Sequence, residues 1–178
     1  YNLISLANSY FKKLSNLKKS KFKFLHISTD EVFGFLRKNS KKFTENSNYA
    51  PSSPYSASKA SSDHLVSSWF KTFGFPSIIT HCSNNFGPFQ HIEKLIPLTI
   101  INCIQRKRIP VYGKGNQIRD WIFVEDHSRA LYIILKKSKT GETYNIGANN
   151  EITNLNLVKK ICNIIDKKLS TKKFKNHS

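Results

Sequence analysis

The sequence predicts an α/β fold built on a parallel sheet. The main observation is that apolar, strand-like stretches alternate with helical stretches along almost the whole chain. The second observation is the composition, since 39% of the 178 residues are apolar and 12% are aromatic. A chain of this length and composition is expected to bury a core of its own.

The first half of the chain predicts two helices and two strands. Apolar residues at helical spacing indicate a helix that ends before the polar stretch "NLKKSK" (16–21), and "KFKFLHIS" (21–28) is typical of a strand. A polar loop at 37–48 leads to prolines and then to a helix in "YSASKASSDHLVSSWF" (55–70). The β-branched stretch "FPSIITHC" (75–82) predicts the second strand.

The second half predicts three strands and three helices. We expect a loop in "SNNFGPFQ" (83–90), helices at 92–106 and 125–136, and strands in "IPVYG" (109–113), "IRDWIFV" (118–124) and "TGETYNIG" (140–147). Thr153 or Asn154 is expected to cap a last helix that ends near Asp166. The lysine-rich tail at 167–178 is expected to be frayed.

The composition narrows the functional classes. The formal net charge is +18, but the lysines are scattered from Lys12 to Lys173 without a nucleic-acid-binding motif, so we do not predict nucleic-acid binding. The cysteines Cys82, Cys103 and Cys162 lack the spacing of a zinc site or a disulfide framework, and we expect reduced, mostly buried thiols. No long apolar span or signal-peptide pattern is present, which predicts a soluble, cytoplasmic protein and no membrane partner.

Two adjacent carboxylates follow the first predicted strand. Ser28, Thr29, Asp30 and Glu31 stand at its carboxyl end, where ligands bind in open α/β sheets. The same residues would also suit a turn with a helix cap. Position alone leaves a catalytic pair and a structural turn equally open.

A tyrosine and a lysine share one helical face shortly afterwards. Tyr55 and Lys59 are four residues apart, and a lysine ammonium near a phenol would lower the pKa of the tyrosine toward a value useful to a general base. A second such pair, Tyr132 and Lys136, lies in an apolar run, where core packing of the tyrosine with a surface lysine explains it. Small residues surround Tyr55 and would let a cofactor approach the helix.

Six segments occur in the order found in one enzyme family. They are "HISTDEVFG", "SPYSASKASSDHLV", "CSNNFGPFQHIEKLIP", "VYGKGNQIRDWIFVEDHSRAL", "GETYNIGANNE" and "TNLNLV". On these segments the chain resembles the extended short-chain dehydrogenase/reductase family, and within it the nucleotide-sugar 4,6-dehydratases of the dTDP-glucose type. The resemblance runs from residue 22 to residue 166. Asp30 and Glu31 distinguish this subgroup from the sugar 4-epimerases, which lack both acids at this place.

The resemblance implies a Rossmann-like parallel sheet with a smaller carboxyl-terminal substrate domain. Residues 1–90 would form the second half of an NAD-binding domain, and residues 91–166 would form mainly a nucleotide-sugar substrate domain with one interleaved Rossmann strand. It also implies tightly held NAD as cofactor, dTDP-glucose as substrate and a homodimer in the full-length protein.

The implied reaction has three stages. Tyr55 would take the proton of the glucose 4-hydroxyl while hydride leaves C4 for NAD, with Thr29 hydrogen-bonded to that hydroxyl and Lys59 bound to the nicotinamide ribose. Glu31 would then remove the C5 proton, and a protonated Asp30 would donate to the departing 6-hydroxyl. Hydride would return to C6. Adjacent carboxyl groups suit this chemistry, because like charges push their pKa values apart.

The same resemblance implies further binding residues. Asn85 would contact the cofactor, as Tyr55 and Lys59 would. Contacts to the substrate are implied for Asn84, Lys94, Leu95, Pro110, Val111, Tyr112, Arg119 and Asn154. Arg119 suits a diphosphate, since its planar fork donates two hydrogen bonds, but it could also be a surface arginine. Asn154 could equally serve as a helix cap.

The sequence departs from the family in several ways. The Gly-x-x-Gly-x-x-Gly loop that places a pyrophosphate on a helix N-terminus does not occur, and Gly113-Lys114-Gly115 does not replace it. We therefore expect an internal fragment that binds NAD poorly and lacks dehydratase activity alone. Phe33 and Phe86 stand where the family has tyrosine, with little expected effect on catalysis.

Alternatives to a dTDP-glucose dehydratase remain open at this point. One is a UDP-sugar 4,6-dehydratase or a 4-epimerase on the same scaffold. The other is a basic binding module without catalysis, or a remnant that retains motifs without activity.

Overall fold

The computed structural model describes residues 1–35 and 41–175, with side chains to residue 170. The chain divides into two compact units. The first unit comprises Tyr1–Ser83 and Asp126–Gly147, and the second comprises Asn84–Glu125 and Ala148–Ser178. The predicted polar loop at 37–48 includes residues that lie outside this description.

The elements follow one another largely as the sequence predicts. In chain order they are α1 (Asn2–Lys12), α2 (Asn16–Lys19), β1 (Phe24–Thr29), a 3-10 helix (Asp30–Phe33), α3 (Pro54–Phe73), β2 (Ser77–Cys82), β3 (Asn84–Phe86), α4 (Leu95–Ile104), β4 (Ile118–Phe123), α5 (Val124–Lys137), β5 (Thr143–Ile146), β6 (Glu151–Thr153) and α6 (Asn154–Lys175).

The first unit contains a parallel sheet in the order β1-β2-β5. Phe24 of β1 pairs with Ser77 of β2, and Ile79 of β2 pairs with Thr143 of β5. β2 is central and its first five residues are buried, as expected for a strand covered on both faces. The predicted α/β fold with a parallel sheet is confirmed.

An aromatic cluster forms the core beside this sheet. Phe75 is fully buried, and its ring centre lies 5.4 to 5.9 Å from those of Phe11, Phe22 and Phe24. Phe11 belongs to α1 and Phe24 to β1, so the contacts between the rings pack the helix against the strand. The packing is favourable because each ring removes apolar surface of the others from water. The cluster therefore holds α1 and β1 in place.

Helix α3 has strong end signals. The Ser53 side chain accepts a hydrogen bond from the Ser56 amide, the Ser56 hydroxyl accepts one from the Ser53 amide, and Pro54 occupies the first turn. At the other end Gly74 adopts a left-handed conformation with φ 62°. Because the start of α3 is set in this way, Tyr55 lies in the first helical turn.

The second unit contains a small mixed sheet in the order β3-β4-β6. β3 and β4 are parallel, whereas β4 and β6 are antiparallel, with Arg119 opposite Ile152. Helices α4 and α6 pack on one another in the same unit. The assignment of the two units to NAD and to substrate stays a proposal.

The structure corrects several local predictions. A short α2 lies within "NLKKSK", and the predicted loop after β2 contains β3. "IPVYG" is not a strand, and β6 is an additional one. The helix predicted at 92–106 begins only at Leu95, and α6 continues past Asp166 to Lys175, because the lysine-rich segment contains no proline or glycine to end it.

No helix in the described ranges is both long and apolar enough to cross a membrane. Residues 1–35 and 41–175 also contain no group of three or more histidine, cysteine or acidic side chains placed to hold a metal ion.

Two of the three cysteines lie side by side. Cys103 of α4 and Cys162 of α6 have their sulfurs 3.1 Å apart, and all three cysteines are half-buried rather than buried as predicted. We expect a mild thiol oxidant such as diamide to form a Cys103–Cys162 disulfide. The two thiols lose two protons and two electrons in this step, and diamide accepts them. Thiol titration of the unfolded chain should then fall from three thiols to one.

The control for this experiment is the Cys162→Ser variant. It should retain both of its remaining thiols under the same treatment, because the sulfur that lies beside Cys103 has been removed. Three thiols remaining in the treated unchanged chain would contradict the packing of α4 on α6 described above.

Candidate active site

The end of β1 turns sharply and presents two carboxylates. The Thr29 hydroxyl accepts a hydrogen bond from the Glu31 amide at 3.3 Å and lies 3.5 Å from Asp30 Oδ1. Thr29 is thus a cap of the 3-10 helix that carries both acids. The structural turn is confirmed, because the turn is capped. Its two acids are half-buried, and their catalytic role stays a prediction.

Apolar residues beneath the turn hold it in place. Val32 and Phe33 are buried and pack with Ala60 of α3. Gly34 ends the turn with φ 84°, and a Cβ there would lie 2.5 Å from the Ala50 carbonyl oxygen. A side chain at this position would therefore strain the backbone and clash with it.

Tyr55 and Lys59 lie close to the same strand end. The Lys59 ammonium donates a hydrogen bond to the Ile27 carbonyl of β1 at 2.7 Å. Tyr55 is 56% exposed. Since Ile27 stands two residues before Thr29, the contact holds the tyrosine–lysine face of α3 beside the carboxyl end of β1.

The electrostatics of Tyr55 differ from the prediction. Burial first, and then the negative charge of Glu31, raise the pKa of Tyr55 above its ordinary value, with smaller contributions from Cys82 and Asp30. The expectation that Lys59 lowers this pKa is wrong for the ligand-free protein, because the Lys59 ammonium is directed to a backbone carbonyl. The acidic pair acts on the phenol instead.

The second tyrosine–lysine pair is a surface contact. Tyr132 is 62% exposed, so the prediction that it packs in the core is wrong. The Lys136 ammonium lies 5.5 Å from the centre of its ring, which is the geometry of a cation–π pair. Tyr132 therefore lies on the exposed face of α5, and its four-residue spacing to Lys136 reflects a surface contact.

A buried polar cluster lies behind the candidate site and was missed in the sequence. Asp63 of α3 is 1% exposed and is hydrogen-bonded to His26, Ser28 and His81 at 2.9 to 3.0 Å. Tyr49 donates to the same carboxylate at 3.3 Å. A signal existed in the sequence, since Asp63 follows Lys59 by four residues and so shares the helical face of Tyr55 and Lys59.

The cluster holds Asp63 ionised. Burial raises the pKa of Asp63, but the hydrogen bonds from His26, His81 and Ser28 outweigh burial and lower it to about 2. Burial and the neighbouring Asp63 charge raise the pKa of Tyr49 far above its ordinary value. At neutral pH, Tyr49 therefore keeps its proton and donates a hydrogen bond, and the ionised Asp63 carboxylate accepts it.

We expect Asp63 to make the chain sensitive to acid. An unfolded aspartate titrates near pH 3.9, so above about pH 4 the stabilisation is fully present. As the pH falls from about 4 to about 2, the unfolded chain binds a proton that folded Asp63 does not, and about 2 kcal/mol is lost. Urea unfolding followed by circular dichroism at several pH values measures this loss.

The Asp63→Asn variant is the control for the acid experiment. It should be less stable at pH 6 and should lack this part of the decline between pH 4 and pH 2. Parallel declines for both proteins over that range would show that Asp63 does not cause the sensitivity.

In the second unit, the structure brings two of the predicted binding segments together. Gly115 has φ 68°, and a Cβ on it would lie 2.8 Å from Val111 and 3.0 Å from Leu155. Its amide donates to the Tyr112 carbonyl, and its carbonyl accepts from the Leu155 amide. The segment at 110–112 is thereby held beside Asn154, the first residue of α6.

Asn154 does not cap helix α6. Thr153 is the helix cap, because its hydroxyl accepts from the Asn156 amide at 3.2 Å. The Asn154 Oδ1 atom is buried and has no hydrogen-bond partner within the described part of the chain. A buried amide oxygen in this state favours contact with a ligand over the capping interpretation.

The remaining predicted residues are distributed over the second unit. Arg119 lies on β4, one residue after Ile118, which pairs with Thr153 and so places Arg119 near the start of α6. Asn84 and Asn85 lie on β3, paired with β4. Lys94 is the exposed residue before α4, and Leu95 is the first residue of that helix.

Comparison with known proteins gives consistent matches. A family model described as GDP-mannose 4,6 dehydratase matches residues 2–178. The dTDP-glucose 4,6-dehydratase of Shigella flexneri is 54% identical over 174 residues, which cover 93% of this chain and 48% of that protein. The chain thus spans about half the length of the curated relatives it matches.

Solved structures agree with this result. The crystal structure of dTDP-glucose 4,6-dehydratase from Bacillus anthracis in complex with NAD superposes with a TM-score of 0.79 at 46% identity, over 84% of this chain and 48% of that one. UDP-glucuronic acid 4-epimerase from Bacillus cereus, in complex with UDP-glucuronic acid and NAD, has a TM-score of 0.75 at 29% identity, over 84% and 49%. The chain therefore belongs to the family described as GDP-mannose 4,6 dehydratase, and the relatives named above show its similarity to dTDP-glucose 4,6-dehydratases.

Proposed function

We propose that the full-length protein containing this chain converts dTDP-glucose to dTDP-4-keto-6-deoxyglucose, and that this chain supplies its catalytic acids and its tyrosine–lysine pair. One observation carries the proposal: the Lys59 ammonium donates to the Ile27 carbonyl at 2.7 Å, which holds the face of α3 that carries Tyr55 beside the end of β1, and Asp30 and Glu31 follow directly after that strand. This placement supports a site in which the groups for oxidation and for elimination act on one sugar.

The residues present fit one end of NAD. Tyr55 is largely exposed, and the small side chains of Ala57 and Ser58 after it are also exposed, so this part of the helix is open to a flat ring and its ribose. Lys59 would bind the ribose, exchanging the Ile27 carbonyl for ribose hydroxyls, and Asn85 is also proposed to contact the cofactor. NAD, when bound, accepts hydride from C4 of the sugar and returns it to C6.

Tyr55 and Thr29 would act at the first stage. Tyr55 would take the proton of the 4-hydroxyl, and the Thr29 hydroxyl would hydrogen-bond the same sugar oxygen. Thr29 is suited to this role because its oxygen is already positioned by the Glu31 amide. Positive charge brought near the phenol by cofactor binding would oppose the negative charge of Glu31. It would thereby lower the pKa of Tyr55 and favour the phenolate.

Glu31 and Asp30 would act at the second stage. Oxidation at C4 makes the C5 proton acidic, and Glu31 would remove it as a general base. Asp30 would donate a proton to the departing 6-hydroxyl, so that water leaves. One acid must be ionised while its neighbour is protonated, and adjacent carboxyl groups favour that division.

The second unit would bind the nucleotide part of the substrate. Arg119 would contact the diphosphate, while Asn154 and the segment at 110–112 would contact the diphosphate or the base. Asn84, Lys94 and Leu95 complete the proposed set. The observation that supports this assignment is the buried Asn154 Oδ1 atom, which has no hydrogen-bond partner among the described residues.

We further propose a cytoplasmic homodimer for the full-length protein. Helix α1 exposes Leu3, Leu6 and Tyr10 by 60 to 72%, which is unusual for apolar side chains on a free surface. Sedimentation analysis of the full-length protein would test the dimer. Nucleotide sugars and NAD are both available in the cytoplasm, which suits the proposed location.

The test of the function is direct. The purified full-length protein should convert dTDP-glucose, with NAD, to a 4-keto-6-deoxy product that is identified by mass spectrometry and NMR. UDP-glucose and UDP-glucuronic acid serve as competing substrates. Faster turnover of a UDP-sugar, or a product epimerised at C4 with its 6-hydroxyl retained, would overturn the proposal.

A further inference from the structure

We propose that Asp63 is a positioning residue for this site, because its buried carboxylate holds the helix that carries Tyr55 and Lys59 against the strand that ends in Thr29. The proposal rests on the proposed function. We assign Asp63 no direct part in the chemistry.

The carboxylate joins one helix to two strands. Its Oδ1 atom accepts from His26 Nε2 of β1 at 3.0 Å, and its Oδ2 atom accepts from the Ser28 hydroxyl of β1 at 2.9 Å and from His81 Nε2 of β2 at 3.0 Å. Because the carboxylate is ionised and can only accept, both histidines carry a proton on Nε2. Ser28 directly precedes Thr29.

The same cluster reaches the turn that carries the two acids. Tyr49 donates to Asp63 Oδ2, and its ring stacks on Phe33 with centres 5.6 Å apart and planes within 7°. Phe33 also meets the His81 ring edge-on at 4.8 Å. Phe33 is the last residue of the 3-10 helix that contains Asp30 and Glu31. The cluster is therefore in contact with both parts of the site.

Because Asp63 and Tyr55 lie on the same helix, fixing α3 at Asp63 also fixes the position of Tyr55. Tyr55, Lys59 and Asp63 follow one another at four-residue intervals on one helical face, and a helix rises 1.5 Å per residue, so Asp63 lies about 12 Å along the axis from Tyr55. A helix is stiff over this length. A shift of α3 on the strands at Asp63 would move Tyr55 relative to Thr29.

A carboxylate is required for this arrangement. Four donors converge on its two oxygens. The amide of an asparagine has the same shape but offers one acceptor oxygen and two N–H donors, so at least one of the four donors would face another donor. Buried polar groups without partners are unfavourable, so the helix and strands would separate locally to admit water or would shift.

The experiment compares two variants of the full-length protein. Asp63→Asn disrupts the cluster, whereas Ser77→Ala removes a buried hydroxyl from the same helix–strand interface, where Ser77 lies 3.4 Å from the Val66 carbonyl. We expect Asp63→Asn to lower kcat for dTDP-glucose at least tenfold and to change KM less than threefold, since the proposed nucleotide contacts lie in the second unit. Ser77→Ala should keep kcat within twofold.

Hydrogen exchange gives a readout that does not depend on turnover. Asp63→Asn should accelerate exchange at the amides of the 3-10 helix and of the first turns of α3 together, and Ser77→Ala should not. If the unchanged protein does not convert dTDP-glucose, the proposed function fails, and the exchange result alone decides the role of Asp63.

Several results would overturn the proposal. A folded Asp63→Asn protein with kcat within threefold of the parent would do so, as would a loss of activity no larger than the loss of folded protein. Equal effects of Asp63→Asn and Ser77→Ala would reduce Asp63 to a general contributor to stability. If Asp63→Asn does not fold, Ser28→Ala and Tyr49→Phe each remove one hydrogen bond, and full activity in both would also overturn it.

Discussion

In the full-length protein, Glu31→Gln is expected to reduce formation of the 4-keto-6-deoxy product by roughly 10²- to 10⁴-fold, the usual contribution of a general base. The amide has the shape of the carboxylate but cannot take the C5 proton. Oxidation at C4 depends on Tyr55 and should continue, so the reaction should stop with NAD in its reduced form. Absorbance at 340 nm follows this accumulation.

Solvent exchange makes the Glu31 test specific. In D₂O, the unchanged protein should introduce deuterium at C5 of the sugar, and Glu31→Gln should not, as judged by NMR. Glu142→Gln is the matched control, since Glu142 is an exposed acid of the same unit, and its activity should equal that of the parent. Unchanged turnover in Glu31→Gln would remove Glu31 from the role of base.

Tyr55→Phe is expected to cause a loss of similar or greater size at an earlier stage. Without the phenol oxygen no group is placed to take the proton of the 4-hydroxyl, so neither reduced NAD nor product should form. Stopped-flow absorbance at 340 nm with substrate in excess separates this result from that of Glu31→Gln. The ring volume is retained, and folding should be unaffected, because Tyr55 is largely exposed.

The second tyrosine–lysine pair provides the control for Tyr55. Tyr132→Phe changes the same residue type at the same spacing to lysine, but on a surface contact of α5, and should leave turnover unchanged. A Tyr55→Phe protein that still reduces NAD in the presence of dTDP-glucose would show that another group accepts the proton.

Much of the fold could be predicted because it depends on local signals. The β-branched run of β2 and the Ser53, Pro54 and Gly74 signals around α3 act within a few residues of the structure they specify. The short strands β3 and β6 could not be predicted in this way. Each has three residues, and each forms only because β4 offers hydrogen-bonding partners.

The residues of the candidate site also differ in whether a local pattern in the sequence could identify them. Tyr55, Lys59, Asp30 and Glu31 are recognisable because each pair is adjacent or one helical turn apart. Asp63 and His81 are 18 residues apart in the chain, and only the packing of α3 on β2 brings them within 3.0 Å. A pattern along the chain does not record such a distance.

The sequence by itself determined the family and the parallel α/β architecture, and it supplied the acids and the tyrosine–lysine pair as predicted site residues, because these depend on residue types at short, regular spacings. The tertiary structure alone decided the charge environment of Tyr55, the burial of the Asn154 Oδ1 atom without a hydrogen-bond partner among the described residues, and the cluster around Asp63. The physical reason is that a pKa and a hydrogen bond depend on groups within a few ångströms in space, whatever their separation along the chain.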